Sequence, residues 1–158
     1  MYEQEKAFVQ AFVRREIRPR YSSLSKRNQR LKLISDINRW DFLDPRYAEK
    51  LPPEEESMDA WFAVLERFGA PDECYLISEQ EDIDKCAMSL RDGLSECYKN
   101  YYHATVVICI PGKLALVHNE EVTCICARRG QETVPGTVSG GAVTPRSSGR
   151  RGRPCPEA

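Results

Sequence analysis

The sequence has no long hydrophobic run. Apolar stretches such as residues 106–110 fall far short of the roughly 20 residues that a membrane-crossing helix needs. Near the start, Glu3 and Glu5 stand where a signal peptide would carry positive charge, so the expected location is cytoplasmic. Net charge is also nearly absent, at −1. Histidine is confined to His103 and His118, and no cysteine pair stands beside a second pair or a histidine at zinc-ligand spacing. There is no helix-turn-helix, RNP or zinc-finger signature, no EF-hand spacing and no internal repeat. No metal and no cofactor are therefore expected.

A phosphate loop is missing as well, although Gly112 and Lys113 follow a strongly β-forming run. The loop requires G-x-x-x-x-G-K-[ST], with the first glycine opening a cradle of amides and the hydroxyl holding magnesium. Here Val107 occupies the first position and Leu114 the last. Pro111-Gly112 instead reads as a hairpin turn, since proline presets φ and glycine permits a positive one.

What the chain does contain is enough apolar residue for one domain. Hydrophobic residues make up 41 % of its 158 residues, and a domain of this length buries about two-thirds of its unfolded surface without needing a metal or disulfide. Apolar periodicity places helices at about 3–17, 25–40, 57–68 and 90–99. In the first, Phe8, Val9, Phe12, Val13 and Ile17 share a stripe, and Pro19 ends it. In the second, Leu31, Ile34 and Ile37, with Leu33 and Trp40 beside them, form the apolar face, with Lys26, Arg27, Arg30 and Lys32 opposite. Ser57 is a fitting N-cap for the third helix, whose Trp61, Val64, Leu65 and Phe68 are expected in the core. Ser89 and Asp92 have capping-box spacing at the start of the fourth, and Gly93 weakens that helix.

Strands are expected at about 74–78, 104–110, 113–118 and 122–127, where β-branched and apolar residues are continuous. The fold class is α+β: N-terminal helices packed on a small β-α-β-β(-β) sheet over residues 1–128. Its first β-α-β unit would be a right-handed crossover if its strands are parallel. Residues 129–158 hold six of the nine glycines and four of the ten prolines, with no aromatic residue. Such a composition cannot bury enough apolar surface to offset the entropy of ordering, so this stretch reads as a disordered tail.

The seven cysteines, Cys74, Cys86, Cys97, Cys109, Cys124, Cys126 and Cys155, are odd in number and mostly lie in apolar runs. Packed, reduced thiols are the expectation. Cys124 and Cys126 should share one sheet face. Either histidine would have to stand beside Cys109 for a nucleophile pair to form.

Charge is unevenly distributed. Residues 14–39 carry an excess of seven positive charges and residues 40–100 an excess of ten negative ones. The positive set, Arg14, Arg15, Arg18, Arg20, Lys26, Arg27 and Arg30, is a candidate contact for a partner or nucleic acid. The acidic loop, Glu79, Glu81, Asp82 and Asp84, follows a strand end, where ligands often bind in open sheets. Clustered carboxylates there would suit cation binding or acid–base work. Pairing between the two regions within the domain is the alternative to an external partner.

The blocks LDPRY (43–47), CYLISE (74–79) and CIPGKLA (109–115) resemble those of a group of short bacterial proteins of unassigned activity, over roughly residues 7–120. The resemblance implies a bacterial, cytosolic, freestanding domain and carries over no catalytic residue. The group favours glycine after the aspartate at position 84, where this chain has Lys85. The functional expectation is a non-enzymatic binding or regulatory module recognising a macromolecular partner, with a protein as partner. The alternatives are nucleic-acid binding through residues 14–32 and a small carboxylate-dependent enzyme.

Overall fold

Strand-forming runs build the centre of the molecule. The computed structural model describes residues 2–128, and the expected tail at 129–158 lies outside them. Six strands form one sheet: β1 (Ala48–Lys50), β2 (Glu73–Ser78), β3 (Ala87–Ser89), β4 (Thr105–Ile110), β5 (Leu114–His118) and β6 (Thr123–Ala127). Their order is β1-β6-β5-β4-β2-β3, and every neighbouring pair is antiparallel. The class is α+β, with four helices: α1 (Tyr2–Phe12), α2 (Arg27–Ile37), α3 (Met58–Arg67) and α4 (Leu90–Lys99).

The central strands are buried on both faces, which accounts for their unbroken apolar sequences. Tyr75, Ile77, Val106, Ile108, Ala115 and Val117 pack with α1 and α2. The alternate residues Cys74, Leu76, Val107, Cys109, Leu114 and Leu116 pack with α3 and α4. Two helical layers thus enclose the sheet, following the period-two alternation of a strand.

Strands β2 and β4 are antiparallel, so the crossover conditional on their being parallel does not form. After β2 the chain folds back as β3, antiparallel to it. Helix α4 then returns it to β4, which lies antiparallel on the other side of β2. The reversal at β3 removes the need for a parallel partner. Both β1 and β3 are edge strands of three residues, too short and too polar to leave an alternating pattern.

Local signals are realised at several ends. Lys113 N donates to Ile110 O at 2.9 Å across Pro111-Gly112, and Gly112 has φ +70°, the geometry of a type II turn. Ser57 Oγ accepts from Ala60 N at 3.2 Å. Ser89 Oγ accepts from Asp92 N at 3.1 Å and donates to Asp92 Oδ2 at 2.6 Å, so the hydroxyl makes the N-cap bond while the carboxylate takes the hydroxyl proton and not the Ser89 amide of a full capping box.

Two helices are shorter than their periodicity suggests. Helix α1 stops at Phe12 because Val13 pairs with Leu43 as an isolated antiparallel bridge. Arg14 N donates to Phe42 O, and Asp44 N donates to Phe12 O. Pro19 lies within a separate 3-10 turn, Arg18–Tyr21. Helix α2 ends at Ile37, and Trp40 opens another 3-10 turn. Its buried stripe is Arg30, Leu33, Ile34 and Ile37, whereas Leu31 is 51 % exposed. Phe68 falls just past α3 and is exposed as well.

Candidate functional site

One cleft brings the two charged regions of the sequence together. It lies between α2 and the 78–85 segment, with a volume of about 740 Å³. Tyr2, Leu24, Leu31 and Ile34 form an apolar wall. Arg30 and Asp84 line it too, along with Ser78. The remaining charged lining residues are Arg27, Glu79, Glu81 and Lys85.

Helix α1 supplies the anchor beneath the cleft. Glu5 follows the periodicity of Phe8, Val9 and Phe12 and is fully buried with them. A buried carboxylate requires compensation. Arg30 Nε donates to Glu5 Oε1 and Oε2 at 3.1 and 3.2 Å, and Arg30 Nη2 donates to Oε1 at 3.0 Å. Tyr75 OH, from β2, donates to Glu5 Oε1 at 2.9 Å. Burial, followed by the adjacent Glu5 charge, raises the Tyr75 phenol well above its ordinary pKa, so it remains a donor.

Arg30 Nη2 also donates to Asp84 Oδ1 at 2.6 Å. That oxygen accepts from Ser78 N at 3.0 Å. Among the described residues, nothing accepts from Arg30 Nη1 and nothing donates to Asp84 Oδ2. The 79–85 loop reaches this position through Lys85, whose φ is +62°. This is the left-handed region that glycine enters most easily.

Arg30 stands apart from the exposed basic residues: at 7 % exposure it is held between two carboxylates while still lining the cleft. The expectation that it belongs with the exposed basic set is corrected, because its helical position points inward and Glu5 offsets its desolvation. The other six differ. Arg14, Arg15, Arg20, Lys26 and Arg27 are exposed and Arg18 is half-buried. Arg14 Nε and Arg18 Nε donate to the carbonyls of Leu43 and Val13 at 3.2 and 2.8 Å. Among the described residues, none of these six forms an ion pair.

The acidic loop divides. Glu79, Glu81 and Asp84 line the cleft; Asp82 does not and is exposed. Glu79 is tied down: Oε1 accepts from Asn38 Nδ2 at 2.7 Å and Oε2 from Ala104 N at 3.2 Å. His103 Nδ1 lies 3.7 Å from Glu79 Oε2. Among the described residues, no group of three or more His, Cys, Asp and Glu side chains is placed to hold a metal ion.

His118 occupies a different place, fully buried at the end of β5. Its Nε2 faces Tyr101 O at 2.8 Å, so Nε2 carries a proton. Its Nδ1 lies 2.8 Å from Thr123 Oγ1, which in turn is 2.9 Å from Glu56 Oε2. With a neutral imidazole, the single hydroxyl proton of Thr123 serves two acceptors. Burial holds His118 below its ordinary pKa, while the Tyr101 carbonyl and Glu56 oppose that shift. Trp61 packs on the imidazole with ring centroids 5.0 Å apart, and Trp61 Nε1 is buried without a partner.

Cys109 forms no hydrogen bond with either histidine. Its Sγ approaches Val107 O of its own strand at 3.8 Å, and burial pushes its pKa up to about 12. Burial likewise raises Cys74 to about 12 and Cys124 to about 11. Such thiols pack and do not react at neutral pH. Cys124 and Cys126 share one sheet face, as period two requires. Cys155 lies outside the described residues.

Sequence reasoning missed Glu5, Tyr2, Tyr75 and Leu31 as parts of this site. The only signal was Glu5, a charge on an apolar stripe. Comparisons with protein-family models, curated proteins and solved structures found no match.

Proposed function

We propose that the protein is a non-enzymatic binding module that recognises a protein partner. The observation supporting this reading is the cleft beside α2, where an apolar wall meets polar groups that are already held in place. Acid–base catalysis needs a positioned group free to exchange a proton. Both Glu79 oxygens instead accept hydrogen bonds from the protein, Asp84 is paired with Arg30 and Glu5 is sealed behind them. Groups fixed in this way suit recognition, because little ordering entropy remains to be lost on binding. The test is affinity capture from a lysate of the source organism at low and moderate salt, with proteins and nucleic acids both identified. A protein retained at both, and lost with Leu31→Glu, is the expected result.

Nucleic-acid binding is the second reading, favoured by the six basic side chains at 14–27 that have no acidic partner among the described residues. Phosphate contacts release counterions, so affinity for labelled oligonucleotides would fall steeply between about 50 and 200 mM salt. Absence of binding at the lower concentration removes this reading.

A further inference from the structure

We propose that the α2 cleft binds an extended, uncharged peptide segment of the protein partner. Arg30 and Asp84 would read the C=O and N–H of one residue of that segment, and Leu31 and Tyr2 would seat one of its aliphatic or aromatic side chains. The inference rests on the protein-partner reading and names its site and ligand class.

The first argument is the pattern of unused hydrogen-bonding capacity. Arg30 spends Nε and Nη2 on Glu5 and Asp84, which leaves the two donors of Nη1. Asp84 spends Oδ1 on Arg30 and Ser78 N, which leaves the lone pairs of Oδ2. Both residues line the cleft. Neither Arg30 Nη1 nor Asp84 Oδ2 is among the buried atoms that lack a partner, so both open to the cleft, where a ligand can reach them. A donor and an acceptor on one bonded pair complement the N–H and C=O of a single residue in an extended segment, which point the same way.

Charge supplies the second argument. The lining carries three positive side chains and three negative ones, so it has no net attraction for a free anion or cation. An anion drawn to Arg30 meets Asp84, and a cation drawn to Asp84 meets Arg30. A neutral polar group meets neither penalty.

The apolar wall is the third. Leu31 is 51 % and Tyr2 37 % exposed, on a helical layer whose other large apolar side chains are mostly buried. Covering them recovers apolar area from water. The volume of about 740 Å³ lies within the range of about 300–1,000 Å³ typical of ligand pockets.

The test selects a displayed library of random short peptides on the folded protein. Enriched peptides are then measured against Leu31→Glu and Asp84→Asn. Leu31 is exposed, so Leu31→Glu should keep the wild-type thermal midpoint. Peptides bearing an aliphatic or aromatic anchor are expected to perturb backbone amide NMR signals at 24–35 and 78–85. Each variant should weaken them at least about tenfold, the equivalent of roughly 1.4 kcal/mol. Methylating the peptide nitrogen next to the anchor should weaken binding similarly, which contact through the side chain alone would not. Peptides that bind both variants unchanged, or shift signals elsewhere, overturn the cleft proposal and leave the module reading intact. An empty selection alongside a captured protein partner overturns the peptide class alone. An empty selection with no captured protein overturns both.

Discussion

The two faces of the sheet are packed by different means. On the α3–α4 face, contact is apolar and close. Trp61, Leu65 and Leu94 are fully buried, and α4 approaches β2 so nearly that a Cβ on Gly93 would lie 2.4 Å from Cys74 Sγ. On the α1–α2 face, Glu5 and Arg30 stand among apolar neighbours and are joined by Tyr75 and Asp84. The α3–α4 face still holds a buried polar atom without a partner among the described residues, Trp61 Nε1. A face closed by an ion pair leaves hydrogen-bonding capacity at its margin, and here that margin is the cleft.

The largest expected effect tests the apolar face. Trp61→Ala should cost about 3–5 kcal/mol in denaturant unfolding, through lost burial and an unfilled cavity. A loss below about 1 kcal/mol would mean that this face collapses readily and is not closely packed. On the opposite face, Arg30→Met leaves Glu5 buried without its partner and should cost about 3 kcal/mol. The double variant Glu5→Leu/Arg30→Met should recover most of that loss, because a buried pair can often be replaced by apolar residues of similar volume. If the double variant is no better than the single one, the pair contributes more than mutual compensation.

Gly93→Ala sharpens the comparison further. Helix propensity alone would make it stabilising by up to about 1 kcal/mol. Because the added methyl group meets Cys74 Sγ at 2.4 Å, overpacking should reverse the sign to a loss of about 1–3 kcal/mol. A stabilised variant would refute the close approach.

The smallest effect concerns pH. His118 has a folded-state pKa below its ordinary value, chiefly because of burial. As pH falls through the ordinary histidine value near 6.5, the unfolded chain takes up the proton first. Stability from this group is complete above that value. It declines as pH drops toward the folded value, by at most about 1.4 kcal/mol per pH unit. Midpoints measured from pH 7.5 to 5 should show this slope, and Glu56→Gln should steepen it by removing the charge that favours the imidazolium. A pH-independent midpoint in that window would contradict the buried neutral state.

Much of the architecture could be read from local pattern. Ser57 and Ser89 mark two helix starts because each hydroxyl satisfies a free amide within its own first turn. Pro111-Gly112 marks a turn because its φ preferences are intrinsic. The strands from 105 to 127 were legible because burial on both faces demands apolar residues at every position. The charged site was less accessible. Arg30 looked like part of a polar helix face, since Leu31, Ile34 and Ile37 suggest one stripe and Leu33, Ile34 and Ile37 another, turned by part of a revolution. Only contact with Glu5 from α1 decides between them.

The sequence by itself therefore determined what depends on neighbours in the chain: caps, turns, strand runs and the uneven distribution of charge. Tertiary structure decided where α1 stops, since Val13 pairs with Leu43 across a separation no local rule spans. It decided that β4 returns antiparallel to β2, because the three residues of β3 reverse the chain beforehand. It also decided that Glu5, Arg30 and Asp84, drawn from three distant segments, meet at one cleft. A buried charge can persist only where its partner is brought to it, and that pairing is a property of the packed chain.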